Sequence, residues 1–250
     1  MSNRLQGKVA LVTGSNRGMG AAMALGFAQA GADVVLHDIA APEETAKRIR
    51  EMAGVRTHSL AADLSSRAQA DRLIEEAVAA MGAVDILVNN AGIIRRAPAA
   101  EHGDEDWDAV IEINLTAVFR LCRAAGAHML ARGRGKIVNI ASLLSFQGGI
   151  NVPSYAAAKG GVAQITKALA NEWAGRGVNV NAIAPGYIRT ENTRPLFQNE
   201  ERRQAILERI PAGRWGEPED VCGAAVFLAS AASDYVHGHV LVVDGGWMAR

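Results

Sequence analysis

Short apolar runs rich in β-branched residues recur along the chain, separated by stretches of helix length, and this alternation restricts the fold more than any other feature. The runs fall at 8–13, 33–37, 56–60, 85–89, 136–140, 179–183 and 239–243. Each is nearly continuous in apolar content, as strands buried on both faces of a parallel sheet are. Helical patterns occupy 18–30, 42–52, 66–81, 104–132, 154–176 and 217–231. Pro42 and Pro218 stand in expected first turns, where a missing N–H costs nothing; Gly31, Gly82 and Gly133 fall just past expected helix ends. The alternation gives an α/β fold: a doubly wound parallel sheet of about seven strands with helices on both faces, in one domain over 1–250. The polar stretch 186–216 breaks the rhythm after a strand end. It is read as a substrate-binding lid inserted at the carboxyl edge of the sheet.

Composition narrows the function classes. Hydrophobic residues make up 49% of 250, enough for a large core. Lysine plus arginine (26) equals aspartate plus glutamate (26), which gives no electrostatic case for nucleic acid or an anionic membrane as partner. No run of ~18 apolar residues exists to span a membrane, and the first residues lack a signal-peptide pattern; a soluble, cytoplasmic protein is expected. Cys122 and Cys222 form no motif and read as reduced packing residues. The six histidines are scattered, so no metal is expected.

Directly after the first strand comes TGSNRGMG, Thr13 to Gly20, and then a helix. Glycines there let backbone N–H groups approach a pyrophosphate, and the helix N-terminus favours its charge. The spacing TGxxxGxG departs from GxGxxG. Gly14, Asn16, Arg17, Gly18, Met19 and Gly20 are the candidate contacts. Asp38 ends the second strand, placed to accept hydrogen bonds from both adenosine ribose hydroxyls and to repel a 2′-phosphate; Ile39 follows it where an arginine would suit that phosphate. Arg17 is the contrary feature. NAD is therefore expected over NADP. Asp63, with Leu64 beside it, is a candidate for the adenine amino group and equally for a helix cap.

Tyr155 and Lys159 are one helical turn apart and share a face. A nearby ammonium favours the phenolate of a tyrosine whose ordinary pKa is ~10. Ser142 lies just past the strand 136–140, at the ligand edge of such a sheet, so both hydroxyls can converge on one substrate oxygen. Asn114 sits within a long apolar helix, a costly place for an unpaired amide. NNAG, with Asn90, Ala91 and Gly92, ends the fourth strand in a turn that exposes backbone.

Together TGSNRGMG, NNAG, Asn114, Ser142, YAAAK and PGYIRT resemble, in order and over nearly the whole chain, the short-chain dehydrogenase/reductase family. The resemblance implies a Rossmann-type fold and an oxidoreductase interconverting a secondary alcohol and a ketone. It implies that Tyr155 moves the proton, Ser142 holds the substrate oxygen, and Lys159 binds the nicotinamide ribose and lowers the tyrosine pKa. Asn114 would orient a relay water behind Lys159. Pro185 and Gly186 would flank the nicotinamide, with Ile188 and Thr190 holding its carboxamide.

Three segments, 140–159, 170–193 and 209–220, with GIIRRAP and the C-terminal DGGWMAR, resemble the branch of that family that acts on 2-deoxy-D-gluconate or 2-keto-3-deoxy-D-gluconate. The expected substrate is thus a sugar acid, with Gln147, Arg95 and Asn192 beside Ser142 and Tyr155 as candidate contacts, and with Arg96, Arg189 and Arg194 as further candidates for its carboxylate. Similar enzymes are tetramers, which makes a homotetramer the expected assembly. Two other readings stay open: a carbonyl reductase using NADPH, such as one for 3-oxoacyl chains on a carrier protein, and a non-catalytic dinucleotide sensor.

Overall fold

Strand β1 (Val9–Thr13) is buried at every position in the computed structural model, which describes residues 4–250. It pairs in parallel with β2 (Asp33–Asp38) on one edge and β4 (Ile86–Asn89) on the other. With β3 (Thr57–Ala61), β5 (Gly135–Ile140), β6 (Val178–Pro185) and β7 (Val240–Val243) the sheet has seven strands in the order β3-β2-β1-β4-β5-β6-β7. All pairings are parallel. The sheet class and strand number expected from the alternation are those observed.

Helices cover both faces because each contributes an apolar stripe. On one face α1 (Gly18–Gln29) and α2 (Glu43–Ala53) press Met23, Phe27 and Ile49 onto Val34, Leu36 and Val88. On the other, α3 (Arg67–Met81) brings Leu73 to Leu11 and Val35. Each fully buried aliphatic or aromatic side chain contributes roughly 1.5–3 kcal/mol before entropy is subtracted.

The helix expected over 104–132 is interrupted. α4 (Asp104–Ile111) runs into a π turn, Glu112–Thr116, before α5 (Ala117–Ala131) resumes. Such turns widen a helix by one residue and are frequent at functional sites. α6 (Pro153–Trp173) follows β5. The insertion at 186–216 folds into two short helices, α7 (Arg194–Gln198) and α8 (Glu200–Leu207). Its own small core joins Ile206, Ile210 and Trp215 to Leu143 and Trp247. A bridge between Ile188 and Gly216 closes its base. The pattern over 217–231 opens with a 3-10 turn, Pro218–Val221, before α9 (Cys222–Ala229). Among the described residues no helix is long and apolar enough to cross a membrane.

Because β2 lies on one side of β1 and β4 on the other, the chain leaves the sheet in opposite directions at that point, and the carboxyl ends of β1 and β4 part into a crevice. A buried polar ladder then fixes α6 to the sheet beside it. Asn89 Nδ2 donates to Asn139 Oδ1 (2.8 Å), and Asn139 Nδ2 donates to Thr166 Oγ1 (3.0 Å). Removing the middle member takes one bond from each of two buried groups, leaving Asn89 Nδ2 with Cys122 Sγ and Thr166 Oγ1 with the Val162 carbonyl. Asn139→Ala is expected to lower unfolding free energy by about 1–3 kcal/mol, measured by urea denaturation; a change below about 0.5 kcal/mol would show that the ladder does not anchor α6.

Candidate active site

Two loops meet at the crevice. Thr13 Oγ1 accepts from the backbone N–H of Asn90 (3.0 Å) and of Ala91 (3.1 Å). Asn90 Nδ2 donates to the carbonyls of Thr13 (2.9 Å) and Gly14 (3.0 Å). The spacing of the glycines now has a cause. Gly14 has φ +63°, and a Cβ there would stand 2.9 Å from Ala91 Cα. A Cβ on Gly20 would meet the Gly14 carbonyl oxygen at 2.0 Å. No side chain caps the start of α1, whose N-cap is Arg17. Its first backbone N–H groups therefore face the crevice without partners from the loop side chains, which suits an anion.

The crevice is a cleft of about 890 Å³ lined by Gly14, Arg17, Gly18, Met19, Gly20, Asp38, Ile39, Asp63, Leu64, Asn90, Ala91, Gly92 and Thr190 among others. Asp38 is held by backbone: Oδ2 accepts from Asn16 N–H (3.2 Å) and Oδ1 from Ile39 N–H (2.8 Å). Asn16 itself is not on the cleft wall; its carbonyl accepts from Thr45 Oγ1 (3.0 Å). Asp63 Oδ1 accepts from the backbone N–H (2.9 Å) and hydroxyl (2.8 Å) of Ser65, so it organises the turn before α3 while lining the cleft. These residues fit a dinucleotide: a close-approach glycine loop, a helix N-terminus and a carboxylate at the end of β2.

A second cavity, of about 350 Å³, shares Met19, Thr190, Asn192 and Thr193 with the cleft. Ser142, Tyr155, Gln147, Pro185, Gly186 and Ile188 line it. Ser142 begins a 3-10 turn after β5, its Oγ accepting from Leu144 N–H (3.2 Å). Ser145 Oγ donates to the Lys159 carbonyl (2.7 Å), which fixes that turn to α6.

Burial pushes the Tyr155 phenol above its ordinary range, while a hydrogen bond with Ser142 and the charge of Arg96 pull it back. Lys159 is buried, and burial brings its ammonium down to about 8. Lys159 Nζ donates to the Ile140 carbonyl (2.6 Å) and sits 5.6 Å from the Tyr155 ring centre. Arg96 and Lys159 thus both bring positive charge to the Tyr155 side chain. Asn114, in the π turn, is fully buried; its Oδ1 accepts from Ile93 N–H (2.8 Å) and its Nδ2 donates to Ile93 carbonyl (2.7 Å). The amide thereby holds the chain beyond NNAG.

The arginines are redistributed relative to expectation. Arg95 turns outward to Asp106 (3.2 Å) and does not line the cavity, because neighbours in an extended segment point to opposite sides. Arg96 lines it, donating to the Asn192 carbonyl (2.7 Å). Arg189 pairs with Glu217 (3.4 Å) and Arg194 with Glu191 (3.3 Å). Sequence reasoning did not single out Arg202, Arg209, Tyr187 or Trp247 as site residues, yet all four line the cavity.

The chain can be compared with known proteins on this basis. The family pattern described as enoyl-(acyl carrier protein) reductase matches residues 14–248. The 2-dehydro-3-deoxy-D-gluconate 5-dehydrogenase of Escherichia coli is 55% identical over 98% of this chain and 97% of its own. The chain belongs to the short-chain dehydrogenase/reductase family. Among solved short-chain dehydrogenases, a gluconate 5-dehydrogenase from Burkholderia cenocepacia, in complex with NADP and tartrate, is 44% identical with a TM-score of 0.94, covering 99% of this chain and 98% of that one. An Agrobacterium tumefaciens structure with bound NADP, provisionally named a 2-deoxy-D-gluconate 3-dehydrogenase, is 56% identical with a TM-score of 0.92, covering 98% of each chain.

The buried lysine of this short-chain dehydrogenase has a thermodynamic signature. Between about 8 and 10.5 the unfolded chain keeps a proton on Lys159 that the folded chain has released, so this group makes stability rise with pH across that window. Lys159→Met lacks the rise. The wild-type advantage in unfolding free energy over Lys159→Met is expected to grow by ~3 kcal/mol from pH 7 to pH 10.5, read from denaturation at both pH values; a constant difference would mean that Lys159 titrates alike in both states.

Proposed function

We propose that this protein interconverts a secondary alcohol and a ketone on a sugar acid of the 2-dehydro-3-deoxy-D-gluconate or 2-deoxy-D-gluconate type, with a nicotinamide dinucleotide in the cleft and Tyr155 as acid/base. The observation that carries this is that Ser142 and Tyr155 line one cavity that shares Met19, Thr190, Asn192 and Thr193 with the dinucleotide cleft. The substrate class is supported by full-length identity to relatives named for such acids.

A bound nicotinamide supplies or takes the hydride at the substrate carbon. Ser142 Oγ holds the substrate oxygen, and Tyr155 Oη gives or takes its proton. The positive charge of Arg96 favours the phenolate during oxidation. Lys159, one turn further along α6, is assigned the nicotinamide ribose, its ammonium leaving the Ile140 carbonyl to meet it. Asn114 keeps the Gly92–Ile93 backbone in place behind the ring site. The 186–216 segment covers the cavity as a substrate lid through Thr190, Asn192 and α8.

Between the two dinucleotides we favour NAD, because Asp38 presents a carboxylate at the cleft where a 2′-phosphate would sit. A second reading, NADP, is favoured by the NADP found in related structures and by Arg17 on the same wall. Exposed Trp107 and Phe119, on α4 and α5, support assembly into a homotetramer; light scattering is expected to give about four times the 26.3 kDa chain mass, and a monomer would refute it.

Absorbance assays of 2-dehydro-3-deoxy-D-gluconate, 2-deoxy-D-gluconate and an acetoacetyl thioester, each with NAD(H) and NADP(H), test the reading. Turnover of a sugar acid with NAD(H) is expected. Tyr155→Phe is expected to lose about 10²–10⁴-fold in kcat while still binding the dinucleotide, and Asp38→Ala to shift preference toward NADP(H). Turnover confined to the thioester with NADPH would overturn both substrate and cofactor assignments.

A further inference from the structure

We propose that Arg202 and Arg209, on the lid, form the carboxylate anchor of the substrate cavity, holding the acid end of the sugar acid at the Tyr187 wall while its reacting hydroxyl lies at Tyr155. The proposal rests on the sugar-acid reading above.

The cavity lining contains three guanidinium groups, Arg96, Arg202 and Arg209, and no aspartate or glutamate. Other arginines of the lid region are neutralised: Arg189, Arg194, Arg203 and Arg214 each have a carboxylate within ion-pair distance. Among the described residues Arg202 and Arg209 have none within 4.0 Å. Their placement is built. Arg202, Ala205, Ile206 and Arg209 recur at helical spacing along α8 and its following turn, and all line the cavity. Ile206 is buried in the lid core with Trp215 and Trp247, which turns that stripe inward. The Arg209 guanidinium lies 4.0 Å from the Trp247 ring centre, and Trp247 is itself only 4% exposed. A flat cation stacked on a fixed ring keeps its N–H edge free for a planar anion.

Charge divides the cavity into two poles. Burial raises both tyrosine phenols, and against it Arg96 pulls Tyr155 down whereas Arg202 and Arg209 pull Tyr187 down. Arg96 is also engaged by the Asn192 carbonyl. One cation is therefore assigned to the reacting end, and two unneutralised cations remain for the acid end. A carboxylate gives them the counter-charge that the lining lacks. The anchor makes the enzyme select an acid over its uncharged counterpart, and it makes the lid close best over an anion.

The test compares wild type, R202Q, R209Q and the double variant on the preferred sugar acid and on its carboxamide. Both side chains are exposed, so folding is expected to be intact and is checked by thermal denaturation. The ratio of kcat/KM for acid over amide is expected to fall about 10–100-fold in the double variant, through KM for the acid, with partial recovery in R209K. An equal loss on acid and amide, or an unaltered ratio, overturns the anchor while leaving the sugar-acid function standing. If wild type turns over no sugar acid, the functional reading itself fails, and calorimetry with tartrate decides the anchor: binding to wild type that the double variant loses supports it, and binding equal in both or absent from both refutes it.

Discussion

The hydroxyl of Thr13 holds the site open by holding two loops together. It accepts two backbone N–H groups of the turn after β4, while Asn90 returns two bonds to the loop after β1. Across a parallel sheet the two loops diverge at this point, and without the stitch the crevice would have no fixed width. The glycines answer the same constraint, since Gly14 and Gly20 occupy places where any Cβ would force the two walls apart. The width of the cleft is thus set by two side chains bonded to backbone and by two glycines that let the walls approach.

From that seam the chemistry is placed outward in steps. Asn114 carries the turn on to Ile93, and the Asn89–Asn139–Thr166 ladder carries sheet position into α6. Ser142 and Tyr155 are then held by two elements that Ser145 ties together. Ser142 and Tyr155 sit on elements tied to the sheet, whereas the cavity roof is a small satellite core of its own. Such a separation of the site's sheet-anchored wall from a distinct roof suits a fold on which sites vary while the scaffold stays.

The sheet was legible in the sequence because buried parallel strands leave unbroken apolar runs, and the cofactor cleft because a glycine spacing after a strand has few other uses. Asp38, Ser142 and Tyr155 were legible because each follows a strand end or begins a helix at the ligand edge. The π turn was not: its residues, Glu112–Thr116, carry no composition that distinguishes them from α-helix, and the widening is fixed by the tertiary demand of Ile93 for Asn114. Arg95 and Arg96 are adjacent, and only the path of the chain decides which faces inward. Arg202 and Arg209 were hidden in a polar stretch whose helical phase became readable only once Ile206 was seen buried. Asp38 alone did not make the cofactor legible, since Arg17 shares its wall and the related structures hold NADP.

The bridge between Ile188 and Gly216 has a consequence beyond the geometry of the roof. Backbone bonds run both ways across it, from Arg189 N–H to the Gly216 carbonyl (2.8 Å) and from Gly216 N–H to the Tyr187 carbonyl (2.9 Å). The chain between is therefore a loop closed at its neck. The entropy of closing a flexible loop grows only with the logarithm of its length, about 0.6 kcal/mol for each doubling. In chain entropy alone, closure at the neck is therefore nearly independent of how many residues lie beyond it. Residues can be added to or taken from that excursion at little entropic cost to the core beneath, so what ties its roof in place is the packing of Ile206, Ile210 and Trp215 on Leu143 and Trp247.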